Sequence, residues 1–320
     1  MIIVTGGAGF IGSALVWDLN KRGRSDILIV DNLGSSEKWK NLVGLDYIDF
    51  IHKDDFLDLL LEDHLEVEVI FHLGACSSTT ELDANYLMDN NYEYSKSLAI
   101  YAHQNNIRFI YASSAATYGD GDLGYSDEAD LSKLKPLNMY GYSKHVFDQW
   151  MQKHHLDNSA IGLKFFNVWG PNENHKGSMK SMVAKAFQQI QTDGSVSLFK
   201  SHHPNYEDGK QKRDFVYVKD VTAMILQFWD NPKIAGLFNV GSSTAHTWID
   251  LISPIFSALN LEKNIKFIDM PVELQGKYQY FTQADMSKYL KSGLSEVVTP
   301  LSDAVHDYVL NYLKPNKHLD

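Results

Sequence analysis

The chain has 320 residues, 44% of them hydrophobic, and a formal net charge of −11. That length and apolar content suit one large domain or two closely joined ones, and exclude a disordered chain. The negative balance excludes a general nucleic-acid or anionic-membrane binder, so a phosphorylated ligand needs a local cluster of cations.

Met1 to Thr5 is a short β-rich run that leads straight into glycines, so it reads as a first strand and not as a signal peptide. No apolar stretch reaches the roughly 20 residues of a membrane span. Gly6-Gly7-Ala8-Gly9-Phe10-Ile11-Gly12 precedes a helical stretch from Ser13 to about Arg22. Strand, glycine loop and helix form the dinucleotide-binding arrangement, in which Gly6, Gly9 and Gly12 let the backbone approach a pyrophosphate at a helix amino terminus. Ile27-Leu28-Ile29-Val30-Asp31 supplies a second strand that ends in an acid at the right distance. Asp31 suits ribose hydroxyls and so NAD, whereas Lys38 and Lys53 suit a 2′-phosphate and so NADP; the spacing leaves both open.

A third strand ends near Asp55, and Glu68 to Ala75 reads as a fourth that runs into a small-residue loop. His72 in that strand reads as a core histidine. Cys76, the single cysteine, excludes an intrachain disulfide and suits a reducing cytosol. A helix from near Asp83 to His103 leads to a fifth strand, Arg108 to Ser114, which closes in hydroxyls at the carboxyl edge where open α/β sheets bind ligands. Tyr140 and Lys144 are four apart, so on a helix they share a face. A nearby ammonium lowers a phenol's pKa, and the pair can then exchange a proton with an alcohol or carbonyl. Ser114 is placed to bind a substrate oxygen beside Tyr140. Ala160 to Val168 reads as a sixth strand, closed by Trp169-Gly170-Pro171.

The strand–helix alternation predicts an α/β, Rossmann-type doubly wound parallel sheet over residues 1–168, and further strands are expected at 213–218 and 237–241. Residues 172–212 read as polar and break the rhythm. The remainder, 169–320, reads as a smaller mixed α/β lobe for substrate, with 213–241 completing the first domain. His154-His155 and His202-His203 are adjacent pairs without acids or cysteines, so no metal site is expected.

The glycine loop, Asp31, Ser113-Ser114, Tyr140/Lys144, Asn167-Val168-Trp169-Gly170-Pro171 and Arg213-Asp214-Phe215-Val216-Tyr217-Val218 occur in order. Together they resemble the extended short-chain dehydrogenase/reductase family over nearly the whole chain. Gly74 to Glu81, Met88 to Tyr92, Ser113 to Gly119, His175 to Met179 and Phe281 to Asp285 look like the branch that epimerises an ADP-heptose for the lipopolysaccharide core. That resemblance implies tightly bound NADP, touched by Phe10, Ile11, Asp31, Asn32, Lys38, Lys53, Leu73, Gly74, Ala75, Cys76, Ser77, Asn90, Lys144, Val168 and Lys176. It implies Tyr140 and Lys176 as two acid/base residues. It implies substrate contacts at Ser114, Asn167, Ser178, Lys185, Arg213 and Tyr278, with Phe199, Lys200, Ser201 and His202 at the nucleotide end. The chain departs from the branch at Leu73, often an acid, at Lys185, often a histidine, and in a longer 202–212 segment. A sugar-nucleotide dehydratase needs an acid pair after Ser114, where Ala115 and Ala116 stand. A dehydrogenase that exchanges its cofactor and a non-catalytic dinucleotide sensor are the other readings. The chain is expected to work in the cytoplasm as a homo-oligomer.

Overall fold

The computed structural model describes residues 1–62, 65–272 and 278–320. Apolar runs form seven parallel strands: β1 (Ile2–Thr5), β2 (Ile27–Asp31), β3 (Asp49–His52), β4 (Val69–His72), β5 (Arg108–Ser114), β6 (Ala160–Phe165) and, far along the chain, Gly236–Val240. From one edge the order is Gly236–Val240, β6, β5, β4, β1, β2, β3. The order reverses between β1 and β4, which opens a crevice at their carboxyl ends. Alternate residues face opposite layers. Ile2, Val4, Ile27, Ile29, Val69 and Phe71 join one core. Ile3, Leu28, Val30, Ile70, Phe109 and Tyr111 join the other.

Helices α1 (Phe10–Lys21), α2 (Lys53–Glu62), α3 (Ala84–Met88), α4 (Tyr94–Gln104) and α5 (Met139–Lys153) connect the strands. Asp83 caps α3 through its carboxylate, and a π turn at Asp89–Glu93 joins α3 to α4. One helical run therefore spans the segment expected from Asp83 to His103. Asn138 caps α5 by accepting the Gly141 amide at 2.8 Å.

The expected sixth strand, 160–168, is two elements. β6 stops at Phe165, and β7 (Asn167–Trp169) belongs to another sheet. The cause is a sharp local turn, in which the Val168 amide donates to the Phe166 carbonyl at 2.9 Å. The segment read as polar holds α6 (Met182–Asp193) and β8 (Val196–Phe199). Ser181 caps α6, Val183, Ala184, Ala186 and Ile190 form its buried face, and Gly194 ends it at φ +65°.

β9 (Lys212–Tyr217) lies between β7 and Ala245–Thr247 in a mixed three-stranded sheet, and Ile265–Ile268 pairs with β8. Helix α7 (Val218–Asp230) returns to the large sheet and packs on α1. Trp169, Val183, Ile190, Phe215, Tyr217 and Ile252 anchor the core of the smaller lobe. No helix of the described residues is long and apolar enough to cross a membrane. The described residues contain no group of three metal-binding His, Cys, Asp or Glu side chains.

Candidate active site

The glycine loop is closely fitted. Gly6 has φ +69°, and a Cβ on Gly12 would stand 2.0 Å from the Gly6 carbonyl oxygen. Only glycine permits this approach of loop to helix. Gly9 precedes α1 and offers no side chain to cap it, so the first-turn amides face the crevice uncapped. This cradle suits a pyrophosphate.

A cleft of about 540 Å³ runs from that loop across the carboxyl ends of the strands. It brings together Gly6, Gly9, Phe10, Ile11, Gly12, Asp31, Lys38, Leu73, Gly74, Ala75, Cys76, Ser77, Ser114, Tyr140, Lys144, Val168 and Lys176. A smaller recess of about 150 Å³ adjoins it, lined by Asp31, Asn32, Lys38, Lys53 and Asn90. Asp31 accepts from the Ala8 amide at 2.9 Å and the Asn32 amide at 2.7 Å, and its carboxylate meets Lys38 Nζ at 2.5 Å. Lys53 pairs with Asp54 at 2.6 Å. Both lysines thus reach the recess, each held by a carboxylate that a 2′-phosphate would have to replace.

At the other end of the cleft Tyr140 is hydrogen bonded to Ser114. The Ser114 hydroxyl also accepts from the Ala116 amide at 3.1 Å, so it caps a turn as well as facing the cleft. Lys144 donates to the Ala112 carbonyl at 2.9 Å. Desolvation pushes the Tyr140 phenol above its ordinary value, against the Ser114 hydrogen bond. This corrects the expectation that Lys144 lowers it: Lys144 is itself buried, at 3% exposure, and is drawn to a carbonyl. Burial lowers the Lys144 ammonium to about 8, opposed by the charge of Asp148. His72 is a core histidine, held between Thr5 Oγ1 at 2.7 Å and Ser95 Oγ at 2.8 Å and kept neutral by burial, with its pKa down to about 3.

Lys176 stands at the junction of two cavities. It lines the first together with Phe166, Val168 and Met179, and the same four line a second space of about 590 Å³. Its ammonium lies 5.2 Å from the centre of the Phe10 ring. Burial lowers its pKa, with Glu173 opposing and Lys185 reinforcing the shift. Asn167, Lys185, Phe199 and Tyr278 line the second space, with Lys180 and Trp248. The Trp248 indole donates to the Tyr278 hydroxyl at 2.8 Å.

Other expected contacts lie outside that lining. Arg213 is buried behind Tyr278, its carbon 5.2 Å from the ring centre, and its guanidinium donates to the carbonyls of Lys212 and Gln279. Lys200 pairs with Asp269 at 3.0 Å, the Ser201 amide donates to Asp208 at 2.7 Å, and the His202 amide donates to the Tyr280 hydroxyl at 3.2 Å. Ser178 is exposed. Sequence reasoning missed Asn91. It brackets Cys76, accepting from its amide at 2.8 Å and donating to its carbonyl at 2.9 Å, and also donates to Ser143 at 3.0 Å. That single side chain ties the small-residue loop to α5; its neighbour Asn90 caps its own turn on Tyr86 and faces the recess. Glu173 and His175 were also missed as site-shaping residues, although the same short loop carries Lys176.

The NAD dependent epimerase/dehydratase family model matches residues 2–241. The ADP-L-glycero-D-manno-heptose-6-epimerase of Nitratidesulfovibrio vulgaris (strain DP4) is 52% identical over 316 residues, 98% of each chain. Its namesake from Fusobacterium nucleatum is 48% identical over 98% of each chain. The crystal structure of the Helicobacter pylori ADP-L-glycero-D-manno-heptose-6-epimerase superposes with a TM-score of 0.81 at 29% identity, covering 97% of this chain and 95% of that one. The chain belongs to the NAD dependent epimerase/dehydratase family and, within it, to the group that these heptose epimerases form.

Proposed function

We propose that the protein interconverts ADP-D-glycero-D-manno-heptose and ADP-L-glycero-D-manno-heptose by transient oxidation at C6 of the heptose, with a nicotinamide dinucleotide, NADP, held in the long cleft. The observation that carries this reading is Lys176 at the junction of the two cavities, one lined by Ser114, Tyr140 and Lys144 and the other by Lys185, Phe199 and Tyr278. A carbinol C–H is not acidic, so inversion needs oxidation to a planar ketone and return to its other face. Bound cofactor supplies the hydride acceptor and donor for that.

The protein's own residues supply binding and proton transfer. Gly6, Gly9, Gly12 and the amides that open α1 cradle the pyrophosphate; Leu73 to Ser77 and Val168 wall the cleft. Asp31, Asn32, Asn90, Lys38 and Lys53 surround the adenosine ribose, and the two lysines favour a 2′-phosphate. Tyr140, hydrogen bonded to Ser114, holds or takes the hydroxyl proton in one substrate orientation, with Lys144 as its neighbouring cation. Lys176 serves the other orientation. Lys185, Asn167, Phe199 and Tyr278 receive the nucleotide-sugar, with Arg213 behind Tyr278 and Ser178, Lys200, Ser201 and His202 at the rim. In this scheme residues 1–165 with 218–240 form the cofactor domain; Lys212–Tyr217, expected to help complete it, pairs instead with β7 in the small sheet and belongs to the substrate lobe. The same reading makes the protein a cytoplasmic homo-oligomer on the route to the lipopolysaccharide core.

The test is direct. The purified protein is incubated with either ADP-heptose epimer, and a denatured sample is analysed for the cofactor it releases. Interconversion without accumulation of reduced cofactor, with mostly NADP released, is the expected result. Recovery of NAD alone removes the NADP assignment, and cofactor reduction in step with substrate loss replaces the epimerase by a dehydrogenase.

A further inference from the structure

Three residues before Lys176 stands a carboxylate that the scheme above does not use. Glu173 has no exposed surface. It accepts from the Ser181 amide and the Ser181 hydroxyl, both at 2.6 Å, from the Tyr308 hydroxyl at 3.1 Å and from the Gly170 amide at 3.5 Å. No cation forms an ion pair with it among the described residues. Burial raises its pKa above the usual carboxylate value, and these hydrogen bonds and the charge of Lys176 offset that rise only in part. All four partners are donors, which an ionised carboxylate can satisfy and an amide cannot without turning its own N–H groups onto them.

The four bonds have a common geometry. Gly170 and Ser181 are the two ends of the loop that carries His175, Lys176 and Ser178, and Tyr308 comes from the helix behind it. Between those ends Asn174–Met179 is a short helical turn with no buried residue, broken at Gly177, where φ is +54°. The loop therefore has no core of its own. The Lys176 amide donates to the Glu173 carbonyl at 3.0 Å, so the lysine starts from the fastened residue. A second tie comes from Asn41, which donates to the Asn172 carbonyl at 3.0 Å and meets His175 Nδ1 at 3.1 Å.

We propose that Glu173 is a positioning residue for Lys176: its buried carboxylate fastens both ends of the 170–181 loop and so holds the ammonium at the junction of the two cavities. This rests on the epimerase reading and on Lys176 as its second proton-transfer group. A carboxylate buried without a counter-ion is costly to the fold, and here that cost goes with a tie at both ends of the loop that bears Lys176. The charge also faces Lys176 and favours its ammonium form.

The experiment compares holoenzymes of Glu173→Gln, Tyr308→Phe and Lys176→Met in two assays. One is epimerisation of ADP-heptose. The other is dismutation of an aldehyde analogue of the sugar, which one substrate orientation can support through Tyr140. Glu173→Gln is expected to lower epimerisation roughly 10- to 10²-fold, the scale of a misplaced catalytic group, and dismutation far less. Tyr308→Phe removes one donor outside the loop and is expected to shift the same ratio in the same direction by a smaller factor. It decides the matter should Glu173→Gln fail to fold. Equal loss of both activities, or an unchanged ratio in the folded variants, overturns the proposal and leaves Glu173 as a structural tie. Full epimerisation by Lys176→Met overturns the lysine's role itself, and that failure is distinct from an intact Lys176 requirement with an indifferent Glu173.

Discussion

Tyr140 and Lys144 show how burial competes with proximity. The phenol is raised and the ammonium lowered to about 8, both chiefly by desolvation. Below pH 8 Lys144 carries its charge; as pH rises through that value the charge is lost. Epimerisation is therefore expected to decline above about pH 8, and a pH–turnover profile of Lys144→Arg, whose cation does not titrate there, should lose that decline. An unchanged alkaline limb in a folded, active Lys144→Arg protein would remove Lys144 as its cause. Tyr140→Phe is expected to keep the fold and the cofactor while turnover drops roughly 10²-fold or more, measured by epimer ratio over time. Near-normal turnover would assign the proton to another group. The Tyr140/Lys144 pair was legible in the sequence because a helix converts a spacing of four into one face. Asn91 and Glu173 were not, because each acts through backbone amides and hydroxyls that only the folded chain brings near.

Behind the pair, β5, β6 and α5 are joined by a buried ion pair. Lys164 meets Asp148 at 3.0 Å with neither side chain exposed, and also donates to Thr117 at 2.7 Å. Asp148 accepts from Ser113 at 2.7 Å and from Tyr111 at 3.2 Å. Ser113 adjoins Ser114, and Asp148 lies one turn beyond Lys144, so the network fixes the strand end to the helix that bears the catalytic groups. Lys164→Met is expected to cost about 3–5 kcal/mol, because it strands a carboxylate in the interior. Denaturant unfolding measures this; a loss below about 1 kcal/mol would mean the site relaxes or admits water. Strand β5 coincides with its expected bounds, Arg108 to Ser114, since its continuous apolar and aromatic run leaves little choice. Helix α6 escaped because its buried positions, Val183, Ala186 and Ile190, are diluted by polar neighbours in a stretch whose average is polar. The split of β6 from β7 escaped because Phe166 is as apolar as its neighbours, and a change of sheet leaves no mark on hydrophobicity.

The large sheet is finished by residues distant in the chain. Gly236–Val240 pairs in register with β6 from Gly236–Ile161 to Val240–Phe165, and the Phe166 amide donates to the Val240 carbonyl at 3.0 Å. Asn239 accepts from the Tyr118 hydroxyl at 2.7 Å and donates to the carbonyls of Tyr125 and Asp285, at 2.8 and 2.9 Å. Val221, Ile225, Phe228, Phe238, Ala284 and Tyr289 enter the same core as Ile2 and Val4. The chain thus crosses to the smaller lobe at β7, returns with α7, and returns again near residue 284. Each large apolar side chain buried this way contributes about 1.5–3 kcal/mol, so these later segments together rival the 5–15 kcal/mol that stabilises a whole domain. A fragment ending at residue 168 is therefore expected to keep helical content but show no cooperative thermal transition and retain no cofactor. Far-ultraviolet and near-ultraviolet circular dichroism on heating, with analysis of released dinucleotide, checks this. A sharp transition with cofactor bound would show that the first six strands suffice, and that the later segments only cover a domain already stable without them.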